Sequence, residues 1–244
     1  MSFRKFLFGI FICFFLVISC GENKKNTPPS QKKETNFEAI NKALKENTRK
    51  PKQEEKSTLT DIKKLEQKEV IPFLTEYAEK NPENKIRITT DYGEIIVELF
   101  MDTPLHRANF IRLTKLGYFD TSFFHRVDSG FVIQGGNSDR WDTQRFRAAL
   151  GRYLIPSEAS AKHPHVRGAF SMAKFTEQNI SDASSPFEFF IVQGKNGAPH
   201  LDGEHSVFGR VIAGMDVVDS IASVDTGPNE WPVKNVYMKI EIVD

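Results

Sequence analysis

The chain has 244 residues, of which 39% are hydrophobic and 27% charged, and its 33 Lys and Arg residues nearly balance 32 Asp and Glu residues. The resulting net charge of +1 excludes the general electrostatic attraction that nucleic-acid-binding proteins use, so we expect no nucleic acid partner. Two cysteines exclude a disulfide framework, and no Cys-x-x-Cys pair indicates a zinc or redox site. The length allows one or two domains.

The N-terminus has the pattern of an export signal. Arg4 and Lys5 precede an apolar run from Phe6 to Ile18. As a helix this run would be roughly 20 Å long, which is too short to cross a hydrocarbon core of ~30 Å. A basic start followed by a short apolar stretch and small residues is typical of a cleavable secretory signal, whereas a buried helix of a folded domain would have a polar face. We therefore predict that residues 1–19 are a signal peptide.

The end of this segment, Val17-Ile18-Ser19-Cys20, resembles the lipobox of bacterial lipoproteins. In that class the cysteine is lipidated and the signal is cut just before it, which implies Cys20 as the lipidation site. Several acyl chains, each contributing ~0.8 kcal/mol per buried CH₂, give lasting membrane attachment. The resemblance implies a lipid-anchored protein of the bacterial cell envelope. Because Gly21 replaces the common aspartate retention signal, we expect the outer membrane.

Residues 20–84 form a charged segment that we interpret as a tether. The segment is rich in Lys, Glu, Asn and Gln and is interrupted by prolines, so it cannot bury enough apolar surface to offset its ordering entropy. Within 57–80, however, apolar residues recur at roughly helical spacing. The pattern predicts one or two helices packed on the following domain, with a break at Pro72. A partner-binding role for this stretch stays open.

From residue 85 onward the chain alternates between short strands and two helices. Segments 86–89 and 94–99 predict a hairpin around a Gly-containing turn. Thr103 is the predicted cap of a helix that has Pro104 at its first position and ends at Gly117. Further strands are predicted at 123–127, 131–134, 169–173, 187–192, 207–212 and 236–243, and a second helix at 215–224. Many short strands with two separated helices favour a closed β structure with helical caps.

One segment, Phe124-His-Arg-Val-Asp-Ser-Gly-Phe-Val-Ile-Gln-Gly-Gly-Asn137, resembles the signature of the cyclophilins, a family of peptidyl-prolyl cis/trans isomerases. Other segments follow in that family's order: Thr103-Pro104, Asn109-Phe110, 168–173, 189–191 and 201–209. The resemblance covers 85–244 and implies an eight-stranded antiparallel β-barrel capped by two α-helices, with a substrate groove on its outer face. It further implies a monomer that needs no cofactor and acts on proline-containing polypeptides.

The implied site fits the chemistry of prolyl isomerisation. Rotation about an X–Pro bond crosses a barrier of roughly 20 kcal/mol and takes about 10–100 s unaided. The twisted amide loses its resonance, so its nitrogen becomes basic, and a hydrogen-bond donor aimed at that nitrogen stabilises it. The resemblance implies Arg126 as this donor, with Phe131 in the proline slot and Gln134 on the substrate backbone. The remaining substrate-binding positions are Val132, Ala173, Lys174, Glu188, Phe190, His200, Leu201 and His205.

Four of these positions depart from the best-known members of the family. Val132 replaces a methionine and should leave the slot slightly shallower, and Lys174 replaces an asparagine whose contact is largely through the backbone. Glu188 replaces a glutamine, and we expect it either to pair with Arg126 or to face solvent. His200 replaces a tryptophan that contacts cyclosporin, so we expect weak cyclosporin binding with isomerase activity retained.

Residues 138–167 are longer than in compact members of the family and carry five arginines. We interpret the segment as a solvated insertion loop, with a basic recognition surface as the alternative. His163 and His165 lack further ligands at a suitable spacing, so no metal site is predicted. The leading hypothesis is an isomerase that assists exported proteins. The alternatives are a non-catalytic proline-binding module or holdase on the same groove, and an interaction lipoprotein that acts through its tether or insertion.

Overall fold

The computed structural model describes residues 59–175 and 181–244. The predicted signal peptide, the lipidation site Cys20 and the tether up to residue 58 lie outside the described residues. Within the described part of the chain, no helix combines the length and the apolar character needed to cross a membrane.

The described residues form nine strands and four α-helices, joined by short 3-10 turns. The α-helices are α1 (Val70–Lys80), α2 (Pro104–Leu116), α3 (Trp141–Leu150) and α4 (Met215–Ile221). The strands are β1 (Lys85–Thr90), β2 (Gly93–Leu99), β3 (Phe123–Asp128), β4 (Val132–Asn137), β5 (Ala169–Met172), β6 (Phe189–Val192), β7 (Val207–Ala213), β8 (Val236–Tyr237) and β9 (Lys239–Ile242).

The strands make one antiparallel sheet in the order β8-β3-β4-β6-β5-β7-β2-β1-β9. The last two strands follow each other in the chain but lie at opposite edges of the sheet. β8 pairs with β3, and β9 pairs with β1. The C-terminal segment therefore joins both edges and nearly closes the sheet into a barrel. The single strand predicted at 236–243 is divided at Met238, so nine strands are found where eight were predicted.

A cluster of phenylalanines fills the inside of the sheet beneath α2. Phe110 of α2 stacks on Phe119 with ring centroids 4.5 Å apart, and it meets the edges of Phe170 and Phe189 at 5.2 and 5.5 Å. Phe208 from β7 completes the group. We name the large buried group to which these rings belong the interior cluster. Offset and edge-to-face contacts between such rings add to the free energy gained by burying them.

The N-terminus of α2 is not capped by Thr103 as predicted. The Thr103 hydroxyl donates to the carbonyl of Phe100 instead. The first helical amides, those of Leu105 and His106, donate to the carboxylate of Glu158 at 3.0 and 2.9 Å. A distant carboxylate satisfies these amides and also complements the positive end of the helix dipole, so a local cap is not needed.

The segment before residue 85 packs on the barrel, which confirms the helix predicted within 57–80. α1 lies against α2, and Leu65, Val70, Leu74 and Ala78 join the interior cluster. The packed part of the chain thus begins ahead of the domain boundary predicted at 85.

The break predicted at Pro72 is wrong, because α1 runs continuously from Val70 to Lys80. Pro72 occupies the third position of the helix. The amides of the first turn have no acceptor within a helix, so a residue without an N–H is tolerated there.

The insertion is also not the solvated loop that was predicted, because it contains α3. Thr143 lies fully buried and its hydroxyl donates to the carbonyl of Thr121 at 2.6 Å. Leu150 is fully buried at the other end of the helix. Arg147, one of the five arginines of the insertion, turns toward the sheet and therefore does not contribute to a basic surface.

Candidate active site

Four adjacent strands carry three of the predicted site residues and Ser171 in one row. Arg126 of β3 lies opposite Gln134 of β4, Gln134 lies opposite Phe190 of β6, and Phe190 lies opposite Ser171 of β5. Residues that are directly opposite on antiparallel strands point to the same face of the sheet. The row therefore lies on one face, while Phe189 and the rest of the interior cluster lie on the other.

A β-bulge in β3 turns Arg126 to this outer face. Phe124 pairs with Gly135 and Arg126 pairs with Gln134, so His125 is an extra residue in the ladder. Phe124 belongs to the interior cluster, and strict alternation would place Arg126 on the interior face as well. The extra residue reverses the alternation and re-aims the side chain that follows it. The sequence alone gave no signal for the bulge.

Two carboxylates hold the Arg126 guanidinium. Its Nε donates to Glu230 at 2.5 Å and one Nη donates to Asp128 at 2.9 Å. The guanidinium carbon lies 5.8 Å from the centroid of the Phe131 ring. An arginine has five N–H donors and these bonds use two, so donors remain for a substrate. The sequence prediction missed Glu230, which comes from a turn far along the chain.

Next to Arg126 lies a smaller hydrophobic group, which we name the outer-face cluster. Its buried members are Val132, Ala169, Ala173, Phe190, Val192, Ala198 and Val207, and Phe100, Phe131 and Leu201 pack against it while partly exposed. Five of the predicted site residues thus meet in one apolar surface. A partly exposed apolar surface beside a cationic donor is suited to a proline ring.

Three histidines lie beside Phe190 and Phe131 on this surface. His205 meets the Phe190 ring edge-on at 5.4 Å, and its Nδ1 lies 3.1 Å from the carbonyl of Met172. His165 lies parallel to the Phe190 ring at 5.9 Å. His200 is exposed and stacks on Phe131 at 5.3 Å, so it lies at the rim of the groove.

Glu188 adopts neither of the two arrangements that were predicted for it. Its side chain is only 12% exposed, and it pairs with Arg147 at 3.0 Å rather than with Arg126. The second carboxylate oxygen accepts from Gln134 Nε2 at 3.0 Å and lies 3.4 Å from His125. Burial raises the pKa of Glu188, but the hydrogen bond to His125 and the positive charge of Arg147 outweigh it and hold the pKa below its usual value.

Lys174 does not offer a free ammonium group to the groove. Its Nζ donates to Asp182 at 2.8 Å and lies 4.0 Å from Glu204, and the side chain is 14% exposed. These contacts leave the backbone of Lys174 as the part that a substrate can use. Residues 176–180, which follow it closely, lie outside the described residues.

The two histidines of the insertion bind different carboxylates. His163 lies 2.9 Å from Asp102, whereas His165 lies 2.7 Å from Asp202 and 3.0 Å from the Ser171 hydroxyl. The order serine–histidine–aspartate is that of a hydrolase triad. Ser171 is fully buried, however, and its hydroxyl also reaches the carbonyl of Ser206, so it is not accessible as a nucleophile. These contacts instead hold His165, which lies parallel to the Phe190 ring.

Comparisons with known proteins point to one family. The family model "Cyclophilin type peptidyl-prolyl cis-trans isomerase/CLD" matches residues 85–242. A peptidyl-prolyl cis-trans isomerase-like 2 protein of Rhizopus delemar is 37% identical over 155 residues, which cover 63% of this chain and 27% of that protein. A peptidyl-prolyl cis-trans isomerase-like 3 protein of Mus musculus is 32% identical over 157 residues, which cover 63% of this chain and 92% of that protein.

A solved structure supports the same assignment. The crystal structure of a Cryptosporidium parvum cyclophilin-type peptidyl-prolyl cis-trans isomerase, in the presence of the dipeptide Ala-Pro, matches with a TM-score of 0.55 and 26% identity. The match covers 65% of this chain and 98% of that chain. The family model, the relatives and the shared fold all describe the part of the chain that carries the outer-face row. The chain belongs to the cyclophilin-type peptidyl-prolyl cis-trans isomerase family.

Proposed function

We propose that this protein accelerates cis-trans isomerisation of X–Pro bonds in polypeptides, by stabilising the twisted amide without covalent chemistry. The observation that carries the proposal is the row of Arg126, Gln134 and Phe190 across three neighbouring strands. It presents a cationic donor, an amide and an apolar ring on one face. These are the groups that the twisted X–Pro bond requires, and no cofactor is needed.

The proline ring would rest on Phe131, Phe190 and Leu201, with Arg126 donating to the prolyl nitrogen. That nitrogen accepts a hydrogen bond well only when amide resonance is lost, so the bond favours the twisted state over both planar states. Reaching a millisecond timescale requires about 7 kcal/mol, of which one donor in a dry site supplies ~3–4 kcal/mol. Gln134 and the slot supply the remainder by holding the flanking chain in the twisted geometry.

We further propose that the substrates are exported polypeptides and that the enzyme is anchored in the bacterial envelope, at the outer membrane, through lipid on Cys20. The lipobox-like residues 17–20 and the charged composition of the segment that follows support this placement. Slow X–Pro isomerisation limits many folding reactions, so a tethered isomerase would act where chains emerge from export. A Cys20→Ala variant should move from the membrane fraction to the soluble fraction. Identical fractionation of the two proteins would refute the anchor.

The second candidate is a non-catalytic binding module on the same groove. It is favoured by the two carboxylates on Arg126, because an arginine held by Glu230 and Asp128 is a less available donor. Against it, the two bonds leave three N–H donors and fix the guanidinium beside the slot.

The cis-to-trans rate of an Ala-Pro peptide distinguishes the two candidates. Residues 21–244 should accelerate the reaction, and Arg126→Ala should lose roughly 10²- to 10³-fold of the acceleration. Arg145→Ala, at an exposed arginine of α3, is the matched control and should keep full activity. A folded protein that binds the peptide without accelerating its isomerisation would establish the binding module instead.

A further inference from the structure

We infer that Arg147 and Glu188 are positioning residues for the isomerase reaction, and that the inserted helix α3 thereby fixes the orientation of the Gln134 amide. The inference rests on the proposed isomerase function. It gives a positioning role to an insertion that the sequence predicted to be a surface loop, and to a glutamate that departs from the family pattern.

Two hydrogen bonds connect α3 to the groove. Arg147 donates from Nη2 to one oxygen of Glu188 at 3.0 Å. The other oxygen of Glu188 accepts from Nε2 of Gln134 at 3.0 Å. Arg147 is itself fixed by a bond from its Nε to the Tyr118 hydroxyl at 2.9 Å and a bond to the carbonyl of Gly136 at 3.2 Å. The guanidinium of Arg147 is therefore held through both Nε and Nη2, and it fixes the position of the Glu188 carboxylate.

The carboxylate selects one of the two orientations of the Gln134 amide. A glutamine side chain can turn over, exchanging its oxygen and its NH₂ group with little change in shape. An ionised carboxylate only accepts hydrogen bonds, so only the NH₂ group can face Glu188. One N–H and the carbonyl oxygen of Gln134 then remain for the substrate backbone. A glutamine at position 188 could accept or donate, so it would not by itself select this orientation.

The selection depends on Glu188 staying ionised, to which Arg147 contributes together with His125. Among the described residues, three ionisable groups act on the carboxylate: Arg147 from α3, His125 from β3, and Tyr118 from the turn after α2. Burial alone would favour a protonated Glu188, and a protonated carboxyl can donate to Gln134. Removing Arg147 would therefore allow the Gln134 amide to turn over, most of all at low pH.

Removing Glu188 alone would also misplace the amide. In Glu188→Gln, the side-chain oxygen at position 188 would accept from Arg147, so the NH₂ group there would face Gln134. That donor attracts the carbonyl oxygen of Gln134, which is the opposite orientation. Each single substitution should thus slow the reaction. The two together should leave no unpaired charge beside the Gln134 amide.

The experiment is a double-mutant cycle in the full chain, solubilised in detergent, with Arg147→Met, Glu188→Gln and their combination. Each variant is assayed on an Ala-Pro peptide between about pH 5 and pH 8, and its thermal midpoint is measured alongside. Arg145→Met is the matched control, because it removes an exposed arginine from the same helix.

We expect Arg147→Met to lower kcat/KM about tenfold at neutral pH, which corresponds to one buried hydrogen bond, and to lower it further as the pH falls. The double variant should recover to within about threefold of the wild-type chain. Equal kcat/KM for Arg147→Met and Arg145→Met at every pH would overturn the inference. So would a double variant that is no better than Arg147→Met alone.

A spectroscopic readout keeps the test decisive if Arg147→Met does not fold. Glu188→Gln is nearly isosteric, and the two side-chain amide protons of Gln134 can be followed by NMR in it and in the wild-type chain. We expect one proton to be shifted strongly by the carboxylate in the wild type and to lose that shift in Glu188→Gln. Unchanged resonances would overturn the inference. Failure of the proposed function is separate, because it would appear as a wild-type chain without activity.

Discussion

The two hydrophobic clusters lie on opposite faces of the same strands, and they differ in what surrounds them. The interior cluster is large, fully buried and rich in phenylalanine contacts, with rings such as Phe170 and Phe189 at 0% exposure. The outer-face cluster is small, is left partly open at Phe131 and Leu201, and is bordered by Arg126 and Gln134. Because successive residues of a strand face opposite sides of the sheet, neighbours such as Phe189 and Phe190 belong to different clusters.

The polar groups of the candidate site lie on the outer face of the strands, on the side opposite the interior cluster. Within the described residues, the arginine, the carboxylates and the histidines that border Phe190 all lie on that side of the strands. Substitutions on the interior face should change the free energy of unfolding, while those on the outer face should change the reaction. The predictions that follow test this separation.

The largest effect is expected from the neighbouring pair Phe189 and Phe190. Phe189→Ala removes a ring from the centre of the interior cluster and should lower the free energy of unfolding by about 3–5 kcal/mol. Phe190→Ala should cost less stability but lower kcat/KM at least tenfold, because it removes the floor of the proline slot. Urea unfolding and peptide isomerisation, both measured well below the thermal midpoint, check the pair. Equal losses of kcat/KM in the two variants would show that the interior and outer faces do not differ in their effect on the reaction.

The next effect concerns the helix that precedes the family-matched region. Leu74 of α1 is fully buried in the interior cluster, so Leu74→Ala should lower the free energy of unfolding by about 3 kcal/mol and leave kcat/KM unchanged. Ile71 lies on the same helix and is 54% exposed. Ile71→Ala is therefore the control and should cost under about 0.5 kcal/mol. A loss of unfolding free energy in Leu74→Ala as small as that in Ile71→Ala would show that α1 contributes no packing energy.

The sequence predicted the parts of the fold whose signals are local. Helix α2 was found with its predicted bounds, because Pro104 suits a first helical position and Gly117 ends the helix at a φ of 76°. The hairpin of β1 and β2 was confirmed for a similar reason, since alternation and a Gly-containing turn fix its register. Helix α4 was also confirmed but ends at Ile221, three residues before its predicted end.

The sequence failed where distant residues decide the structure. Helix α3 is held by the bond from Thr143 to Thr121 and by Arg147, and neither interaction leaves a periodic apolar pattern. The partners of Glu188 come from β3, β4 and α3, so its position depended on the assembled barrel. The reversal of alternation at His125 needs the pairing register, which a sequence read one strand at a time does not contain. The candidate residues of the outer-face row were named from the sequence, but the contacts that hold them were not predicted.

A more conservative change at the site tests whether Arg126 acts through its shape as well as its charge. Arg126→Lys keeps the positive charge but loses the planar fork that binds Glu230 and Asp128 while leaving donors for the substrate. We expect kcat/KM to fall about tenfold or more, with little change in the thermal midpoint. Arg210→Lys, on an exposed ion pair with Glu98, is the control. Full activity in Arg126→Lys would show that charge alone suffices.

The smallest effect is a loss of stability on mild acidification. Burial is the main cause that lowers the pKa of His165 and of His205 below the ordinary value of 6.5, so the folded state binds protons less readily than the unfolded chain. The stability that the neutral histidines contribute is therefore complete above about pH 6.5 and declines as the pH falls from there toward 5. Asp202 and Glu188, two carboxylates of this region with lowered pKa values, lose their contribution only at lower pH, so they do not affect stability between about pH 6.5 and 5.

Thermal midpoints measured at intervals between about pH 7.5 and pH 5 check this prediction. The midpoint should fall across that range in the wild-type chain and fall less steeply in His205→Gln, because glutamine can donate to the carbonyl of Met172 without taking up a proton. His163→Gln is the control, since His163 lies outside the Phe190 surround and pairs with Asp102. An unchanged slope in His205→Gln would contradict the prediction. A smaller decrease of the thermal midpoint with pH in His205→Gln would show that a residue of the outer face also affects the pH range over which the barrel stays folded.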